Sequence, residues 1–67
     1  MRNVPRITID AVKALMAKNQ VLLVDVRDPQ SFAAGHMPGA INVPFDRIPD
    51  HVETWKKEKR LIVTYCA

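Results

Sequence analysis

The sequence predicts an α/β fold with a mainly parallel sheet and helices on both faces, and three observations favour it. Residues 21–24, Val-Leu-Leu-Val, form an apolar run without polar alternation, which is typical of a strand covered on both faces. Short strand candidates alternate with amphipathic helix candidates along the whole chain. Polar residues follow directly where the apolar runs end. The predicted order is β-α-β-α-β-α-β with right-handed crossovers.

The composition limits the class of protein. Sixty-seven residues permit one small domain with a marginal core, since a chain of this size buries only about 60% of its unfolded surface. The residues are 48% hydrophobic and 25% charged, as in globular proteins. The chain starts with no apolar leader and contains no run of membrane-spanning length. A single cysteine cannot form an internal disulfide. We therefore expect a cytoplasmic protein without a membrane partner.

The net charge of +3 includes a basic cluster near the end of the chain. Nucleic-acid binding calls for a longer basic stripe with interleaved aromatic residues, so we expect no nucleic-acid partner. We interpret the cluster as a solvated helix end, with cations near the negative end of the helix dipole. The alternative is a basic rim that draws in small anions by electrostatic steering. The cluster comprises Lys56, Lys57, Lys59 and Arg60.

The N-terminal part of the chain predicts a strand and a helix. Residues 7–9 have the pattern of a short edge strand. Asp10 is then expected to cap a helix that runs to about Lys18, and Asn19 is a plausible helix stop. Val12, Leu15 and Met16 are spaced to face one side of this helix, so we assign them to the core.

The central stretch predicts a helix, a turn and a strand. Asp28 followed by Pro29 is an N-cap with proline at the first helical position, and the helix should span residues 30–34. Gly35 is expected to end it in a left-handed conformation. Pro38-Gly39 has the residues that a type II turn requires at its two central positions. Residues 40–43 then form a small apolar strand.

The last third predicts a loop, a helix and a strand. Residues 45–49 are expected to form a loop and residues 50–59 an amphipathic helix. Ile48, just before that helix, and Val52 and Trp55 on it are spaced to pack on the sheet. Residues 61–65 form the last strand, which brings Cys66 to the carboxyl edge of the sheet. Asp25 and Arg27 follow the central strand at the same edge, where open α/β sheets bind ligands.

The segment from Asp25 to Pro44, DVRDPQSFAAGHMPGAINVP, resembles the N-terminal signature of rhodanese-like domains, the sulfurtransferase family. In that family an Asp-Val-Arg strand end is followed by Gly-His-x-Pro-Gly-Ala-x-Asn-x-Pro, and residues 35–44 match the second motif at every defined position. The resemblance extends to Cys66, but it covers only the first part of a family domain. It implies a rhodanese-like fold truncated at the C-terminus, with residues 1–67 as one incomplete domain.

The resemblance implies that Cys66 is the catalytic nucleophile. It would accept sulfane sulfur from an anion such as thiosulfate, hold it as a cysteine persulfide, and pass it to a thiol, cyanide or protein acceptor. This chemistry needs no metal or organic cofactor. Taken without the resemblance, a lone cysteine beside a valine-rich strand is more often an inert buried residue.

The segment after the cysteine leaves the function open. In the family a tight loop of backbone N–H groups follows and cradles the persulfide, and here Ala67 follows and the sequence ends. We therefore expect a fragment or a piece of a longer polypeptide, in which residues 61–65 keep an unpaired edge or an uncovered face. We expect a sulfurtransferase if residues that follow Cys66 are present in the whole protein, and the alternative is a non-catalytic rhodanese-like binding or regulatory module or an inactive fragment. A relation to phosphatases with a longer cysteine loop is a more distant possibility.

The other polar candidates have supporting interpretations. Arg27 either forms an ion pair that holds the loop or places its charge near the anionic substrate. Asp25 is expected to orient the loop by hydrogen bonds rather than to transfer protons. His36 lies inside a turn motif, which favours a structural hydrogen bond, and His51 is expected to be exposed. Two histidines and one cysteine without metal-ligand spacing exclude a zinc site.

Overall fold

The computed structural model describes residues 8–66, and these form a small α/β unit with a three-stranded sheet. Short connections of a few residues join successive elements, as in compact α/β units. In chain order the elements are α1 (Ile9–Ala17), β1 (Val21–Asp25), α2 (Pro29–Ala34), β2 (Ile41–Asn42), a 3₁₀ helix (Phe45–His51), α3 (Val52–Lys56) and β3 (Leu61–Tyr65).

The sheet has the strand order β2-β1-β3, and both neighbouring pairs are parallel, which confirms the predicted fold class. β1 and β3 run side by side over five residue pairs, from Val21 with Leu61 to Asp25 with Tyr65. β2 pairs with β1 only at its end, where Asn42 lies opposite Asp25. The carboxyl ends of all three strands therefore meet at one edge of the sheet.

The start of α1 differs from the prediction. Thr8, not Asp10, is the N-cap: its extended backbone precedes the helix, and its Oγ1 accepts a hydrogen bond of 3.1 Å from the Ala11 N–H. Asp10 lies in the first turn, where its charge complements the helix dipole. Ile9 is helical rather than part of an edge strand, and Ile7 lies outside the described residues.

The predicted stop of α1 at Asn19 is confirmed. Asn19 adopts the left-handed conformation, with φ of 55°. Its N–H donates to the Met16 carbonyl at 2.9 Å, and the Gln20 N–H donates to the Leu15 carbonyl at 2.8 Å. These two bonds form a Schellman motif, which satisfies the last carbonyls of the helix and turns the chain into β1.

The central stretch follows most of its prediction. Asp28 caps α2 by accepting from the Ser31 N–H at 2.8 Å, and Pro29 occupies the first turn. Gly39 has φ of 83°, and the Ala40 N–H closes the turn on the Met37 carbonyl at 3.1 Å. The prediction of a left-handed Gly35 is wrong, because its φ of 163° is extended backbone. The positive φ of Gly39 favours glycine, and a Cβ there would also require the end of the flexible Met16 side chain to move.

The segment before β3 differs most from the prediction. Residues 45–51 form a 3₁₀ helix rather than a loop, and the α-helix that follows has only five residues. It ends early because the N–H groups of Lys57 and Glu58 bond three residues back rather than four. Val52 is 41% exposed, so its predicted packing on the sheet is wrong, whereas Ile48 and Trp55 are half-buried. His51, predicted exposed, is half-buried, with its ring 5.4 Å from that of Trp55.

The core lies mainly on one face of β1. Val12 of α1 packs with Val21 and Leu23 there, together with Ala40 from the turn. Leu15 and Met16, assigned to the core from the sequence, pack against this cluster as half-buried residues, as do Phe32, Met37, Val63 and Tyr65. Val24 points to the opposite face and is fully buried, so that face is covered too at this position. Within residues 8–66, none of the helices has the length and apolar character needed to cross a bilayer.

Candidate active site

The ends of the three strands place the polar residues singled out in the sequence at one edge. Asp25 ends β1, and it lies opposite Asn42 of β2 and Tyr65 of β3. Beyond the strands the ladder continues for one more bond on each side. The Val43 N–H donates to the Asp25 carbonyl at 3.0 Å, and the Val26 N–H donates to the Tyr65 carbonyl at 3.0 Å. The backbone is therefore held in register up to the residue before Cys66.

Asp25 and Arg27 form a two-pronged ion pair at this edge. Arg27 Nε lies 3.0 Å from both Oδ1 and Oδ2 of Asp25, and Arg27 Nη2 lies 2.7 Å from Oδ2. The Arg27 backbone N–H also donates to Asp25 Oδ1, at 2.9 Å. One of the two interpretations of Arg27 given above was an ion pair that holds the loop, and this ion pair is present. Such charge-assisted, forked contacts are among the stronger hydrogen bonds in proteins.

The side chains of the pair are largely buried rather than exposed on the protein surface. The Asp25 side chain is fully buried and the Arg27 side chain is 21% exposed. Hydrogen bonds from the guanidinium hold the pKa of the Asp25 carboxyl well below its ordinary value, against the opposing effect of burial. The carboxylate in turn raises the pKa of Arg27. Both groups therefore remain charged over the whole neutral range.

Arg27 also fixes the far end of α2. Its Nη2 donates to the Gly35 carbonyl at 2.6 Å, directly after the helix. His36 follows, and its Nδ1 lies 2.8 Å from the Phe32 carbonyl while its ring stacks on the Phe32 ring at 3.6 Å. The predicted structural hydrogen bond of His36 is therefore present. One arginine thus connects the end of β1 to the end of the helix that follows it.

Two further residues complete the edge, and sequence reasoning did not single them out. Asn42 Nδ2 donates to the carbonyls of Asp25 and Arg27, at 3.0 and 2.9 Å, which fixes the loop after β1 to β2. The Tyr65 hydroxyl accepts from the Met37 N–H at 3.0 Å, and the Tyr65 ring lies 5.9 Å from the Arg27 guanidinium carbon. The sequence signal for Asn42 was its place in the motif of residues 35–44. Nothing local pointed to the Tyr65 contact.

Cys66 is exposed, as a free thiol directly after β3. The topology places it at the same edge as Asp25 and Arg27. An exposed thiol can react with a dissolved small molecule without a conformational change that opens the protein. Among residues 8–66, no three His, Cys, Asp or Glu side chains are grouped so that they could hold a metal ion. The groups present at this edge are a thiol and a charged loop that is held by hydrogen bonds.

Comparison with known proteins gives relatives for nearly the whole chain. Thiosulfate sulfurtransferase GlpE of Tolumonas auensis is 36% identical over 63 residues, which are 94% of this chain and 59% of that protein. A thiosulfate:glutathione sulfurtransferase of Saccharomyces cerevisiae is 36% identical over 50 residues, 72% of this chain and 36% of that protein. An HTH-type transcriptional regulator of Mycobacterium tuberculosis is 45% identical over 47 residues, 70% of this chain and 20% of that protein.

The chain thus spans between 20% and 59% of the length of these three relatives. The family model of the Rhodanese-like domain matches residues 8–67. This match includes the three strands, the paired Asp25 and Arg27, and Cys66. The chain belongs to the rhodanese-like domain family.

Proposed function

We propose that the chain is the part of a rhodanese-type sulfurtransferase that carries the nucleophile, and that the nucleophile is Cys66. The observation that supports this most is the position of Cys66, an exposed thiol directly after β3 at the carboxyl edge of a parallel sheet. Two relatives that are named as sulfurtransferases acting with thiosulfate support the reaction class. In this proposal residues 1–67 belong to a single rhodanese-like domain.

The reaction consists of two sulfur transfers. In the first, the Cys66 thiolate attacks the outer, sulfane sulfur of thiosulfate, an S–S bond forms to Cys66, and the S–S bond of thiosulfate breaks to release sulfite. In the second, an acceptor thiolate or cyanide attacks the outer sulfur of the Cys66 persulfide. The products are then the acceptor persulfide or thiocyanate, and the Cys66 thiolate is regenerated. Each step exchanges one S–S bond for another or for an S–C bond, so no outside oxidant or metal is needed.

Asp25 and Arg27 support this chemistry in different ways. Asp25 is buried and fully engaged with Arg27, so we assign it to holding the loop after β1 rather than to proton transfer. Arg27 is partly exposed at the edge, where its positive charge favours the approach of an anionic sulfur donor. The basic cluster of Lys56, Lys57, Lys59 and Arg60 precedes the start of β3, at the opposite end of the strand from Cys66, and Lys56 and Arg60 are paired with Glu53 and Glu58, so we do not assign it to donor binding.

The donor and acceptor classes follow from the chemistry and from the relatives. Thiosulfate is a small dianion with a transferable sulfur, and two relatives are named for it. The second of these is also named for glutathione, which supports a small thiol as the acceptor. A thiol that must remain reduced between turnovers fits the cytoplasm, which we propose as the compartment.

The test is the intact mass of the chain before and after incubation with thiosulfate. The proposal predicts a gain of one sulfur atom that dithiothreitol removes. Cys66→Ala should gain nothing, whereas Thr54→Ala, an exposed change on α3, should gain the sulfur as the wild type does. No gain in the wild-type chain would contradict the proposal, and so would an equal gain in Cys66→Ala.

A binding role is the second candidate. One relative is named as a transcriptional regulator rather than as a transferase. The strand β3 also has no fully buried residue, and Leu61 at its start is 55% exposed. This edge strand therefore exposes surface on which a partner could bind. The same mass measurement separates the two candidates, because a binding module would leave Cys66 unmodified by thiosulfate.

A further inference from the structure

Tyr65 occupies the last position of β3, directly before Cys66. Its backbone is held by β1, since its carbonyl accepts the Val26 N–H at 3.0 Å. In the parallel register Tyr65 lies opposite Asp25, so its side chain is on the same face as the Asp25 carboxylate. The half-buried ring packs against the core cluster. Both the backbone and the side chain of the residue before Cys66 are therefore constrained.

The hydroxyl of Tyr65 makes a contact far along the chain. It accepts a hydrogen bond of 3.0 Å from the N–H of Met37, 28 positions earlier. Met37 begins the turn that the Ala40 N–H closes. Met16 of α1 lies next to Gly39 of this turn, in the space that a Cβ would occupy. The hydroxyl thus connects the end of β3 to a turn that is itself packed against the first helix.

Tyr65 also contacts the ion pair. Its ring lies 5.9 Å from the Arg27 guanidinium carbon, within the range of cation–π attraction. Hydrogen bonding from its hydroxyl also lowers the pKa of the Asp25 carboxyl. One side chain therefore contacts the turn, the ion pair and the core at once, and it belongs to the residue bonded to Cys66.

We propose that Tyr65 is the positioning residue for Cys66: its hydroxyl, anchored on the Met37 N–H, sets where the end of β3 places the Cys66 thiol. The kinetic part of this inference rests on the proposed function, and the structural part does not. An attacking thiolate must be aligned with the S–S bond that it breaks, so a small displacement of the nucleophile slows the attack. Tyr65 touches neither the reacting sulfur atoms nor the donor, and it acts through Cys66.

The structural part is tested by Tyr65→Phe in the ¹⁵N-labelled chain, because this change removes one oxygen and keeps the ring. The inference predicts that the amide resonances of both Met37 and Cys66 shift. Glu58→Gln, which weakens the ion pair with Arg60 before the start of β3, at the opposite end of this strand from Cys66, is the matched control for a loss of stability and should leave the Cys66 resonance in place. If Met37 shifts while Cys66 does not, or if neither shifts, the inference is wrong.

The kinetic part is tested by the rate at which Cys66 gains sulfur from thiosulfate in a single turnover. Tyr65→Phe should lower the maximal rate about tenfold without changing the thiosulfate concentration that gives half of it, because alignment is lost and donor binding is not. Glu58→Gln should change neither. An unchanged maximal rate in Tyr65→Phe overturns the inference. If the wild-type chain gains no sulfur, the proposed function fails, and the resonance shifts alone decide whether Tyr65 positions Cys66.

Discussion

The chain contains two pairs of the same local design, an acidic residue followed two positions later by arginine. Asp25 with Arg27 follows β1, and Glu58 with Arg60 precedes β3. In both pairs the carboxylate accepts from the arginine backbone N–H, at 2.9 and 3.0 Å. In both it also accepts from the guanidinium, with shortest contacts of 2.7 and 2.9 Å. The local geometry of the two pairs is thus nearly the same.

Their surroundings differ. The Asp25 side chain is fully buried, whereas those of Glu58 and Arg60 are 21% and 33% exposed. The first pair is also connected to distant segments, because Arg27 bonds to Gly35 and Asn42 bonds to the backbone on either side of Val26. Removing one partner of a buried pair leaves an uncompensated group, whereas a half-buried pair is partly screened by water. Burial and long-range contacts, rather than the shared spacing of acid and arginine, therefore determine how much each pair contributes to the stability of the fold.

The largest effect should come from Asp25→Asn. The change keeps the shape of the side chain but removes the charge that holds Arg27, and it turns amide hydrogens toward the guanidinium donors. We expect the midpoint of thermal unfolding to fall by more than about 10 °C, as for a broken buried pair in a domain of this size. Circular dichroism measures it. Glu58→Gln is the matched control, and an equal fall in both variants would contradict the distinction between the pairs.

An intermediate effect should come from Arg27→Lys. The single ammonium of lysine keeps the charge but cannot bond to both oxygens of Asp25 and to the Gly35 carbonyl in the same geometry. We expect a fall in the thermal midpoint of about 4–8 °C. The corresponding change in the second pair, Arg60→Lys, should cost less, since that pair makes no contact with a distant segment among the hydrogen bonds of residues 8–66. A larger fall for Arg60→Lys would refute this order.

The smallest effect should come from Glu58→Gln, and it should depend on pH. Hydrogen bonds from Arg60 lower the pKa of Glu58 from 4.5 to about 2 in the folded chain. A carboxyl with a lowered pKa stabilises the fold above its unfolded value and loses that contribution as the pH falls toward the folded value. The wild-type chain should therefore exceed Glu58→Gln in stability at neutral pH, and the two should converge as the pH falls from about 4.5 to about 2.

Urea unfolding at several pH values measures this convergence. Asp25 provides an internal comparison, because its pKa is lowered as well and its contribution should be lost in the acid range in both chains. A difference between wild type and Glu58→Gln that stays constant down to pH about 2 would show that Glu58 does not act through its charge.

The parts of the fold that sequence could predict are those set by neighbouring residues. The apolar run of β1, the Asp28-Pro29 start of α2 and the Pro38-Gly39 turn each depend on a few adjacent side chains, and all three are present. The start of α1 was ambiguous for the same reason: Thr8 and Asp10 are both good N-caps two residues apart. Local sequence does not distinguish between two such candidates.

The parts that sequence missed depend on distant contacts or on competing short-range bonds. The carbonyl partners of Asn42 lie 15 and 17 positions away, and the Met37 partner of Tyr65 lies 28 positions away, so no local pattern could reveal them. The predicted helix over residues 50–59 had the right spacing. However, Glu58 accepts from the Arg60 backbone N–H, which helps turn the chain toward β3 and leaves α3 with five residues. The placement of Asp25, Arg27 and Cys66 at one edge needed only the parallel strand order.

In the proposed function, the Cys66 thiol at the end of β3 accepts sulfur at the carboxyl edge of the sheet. The most direct measurement is the sulfite released when the wild-type chain and Cys66→Ala are each mixed with excess thiosulfate in the absence of an acceptor. Since each transfer to Cys66 releases one sulfite, we expect one sulfite per wild-type chain and none from the variant. Sulfite release from the wild-type chain that does not exceed that from Cys66→Ala would contradict it.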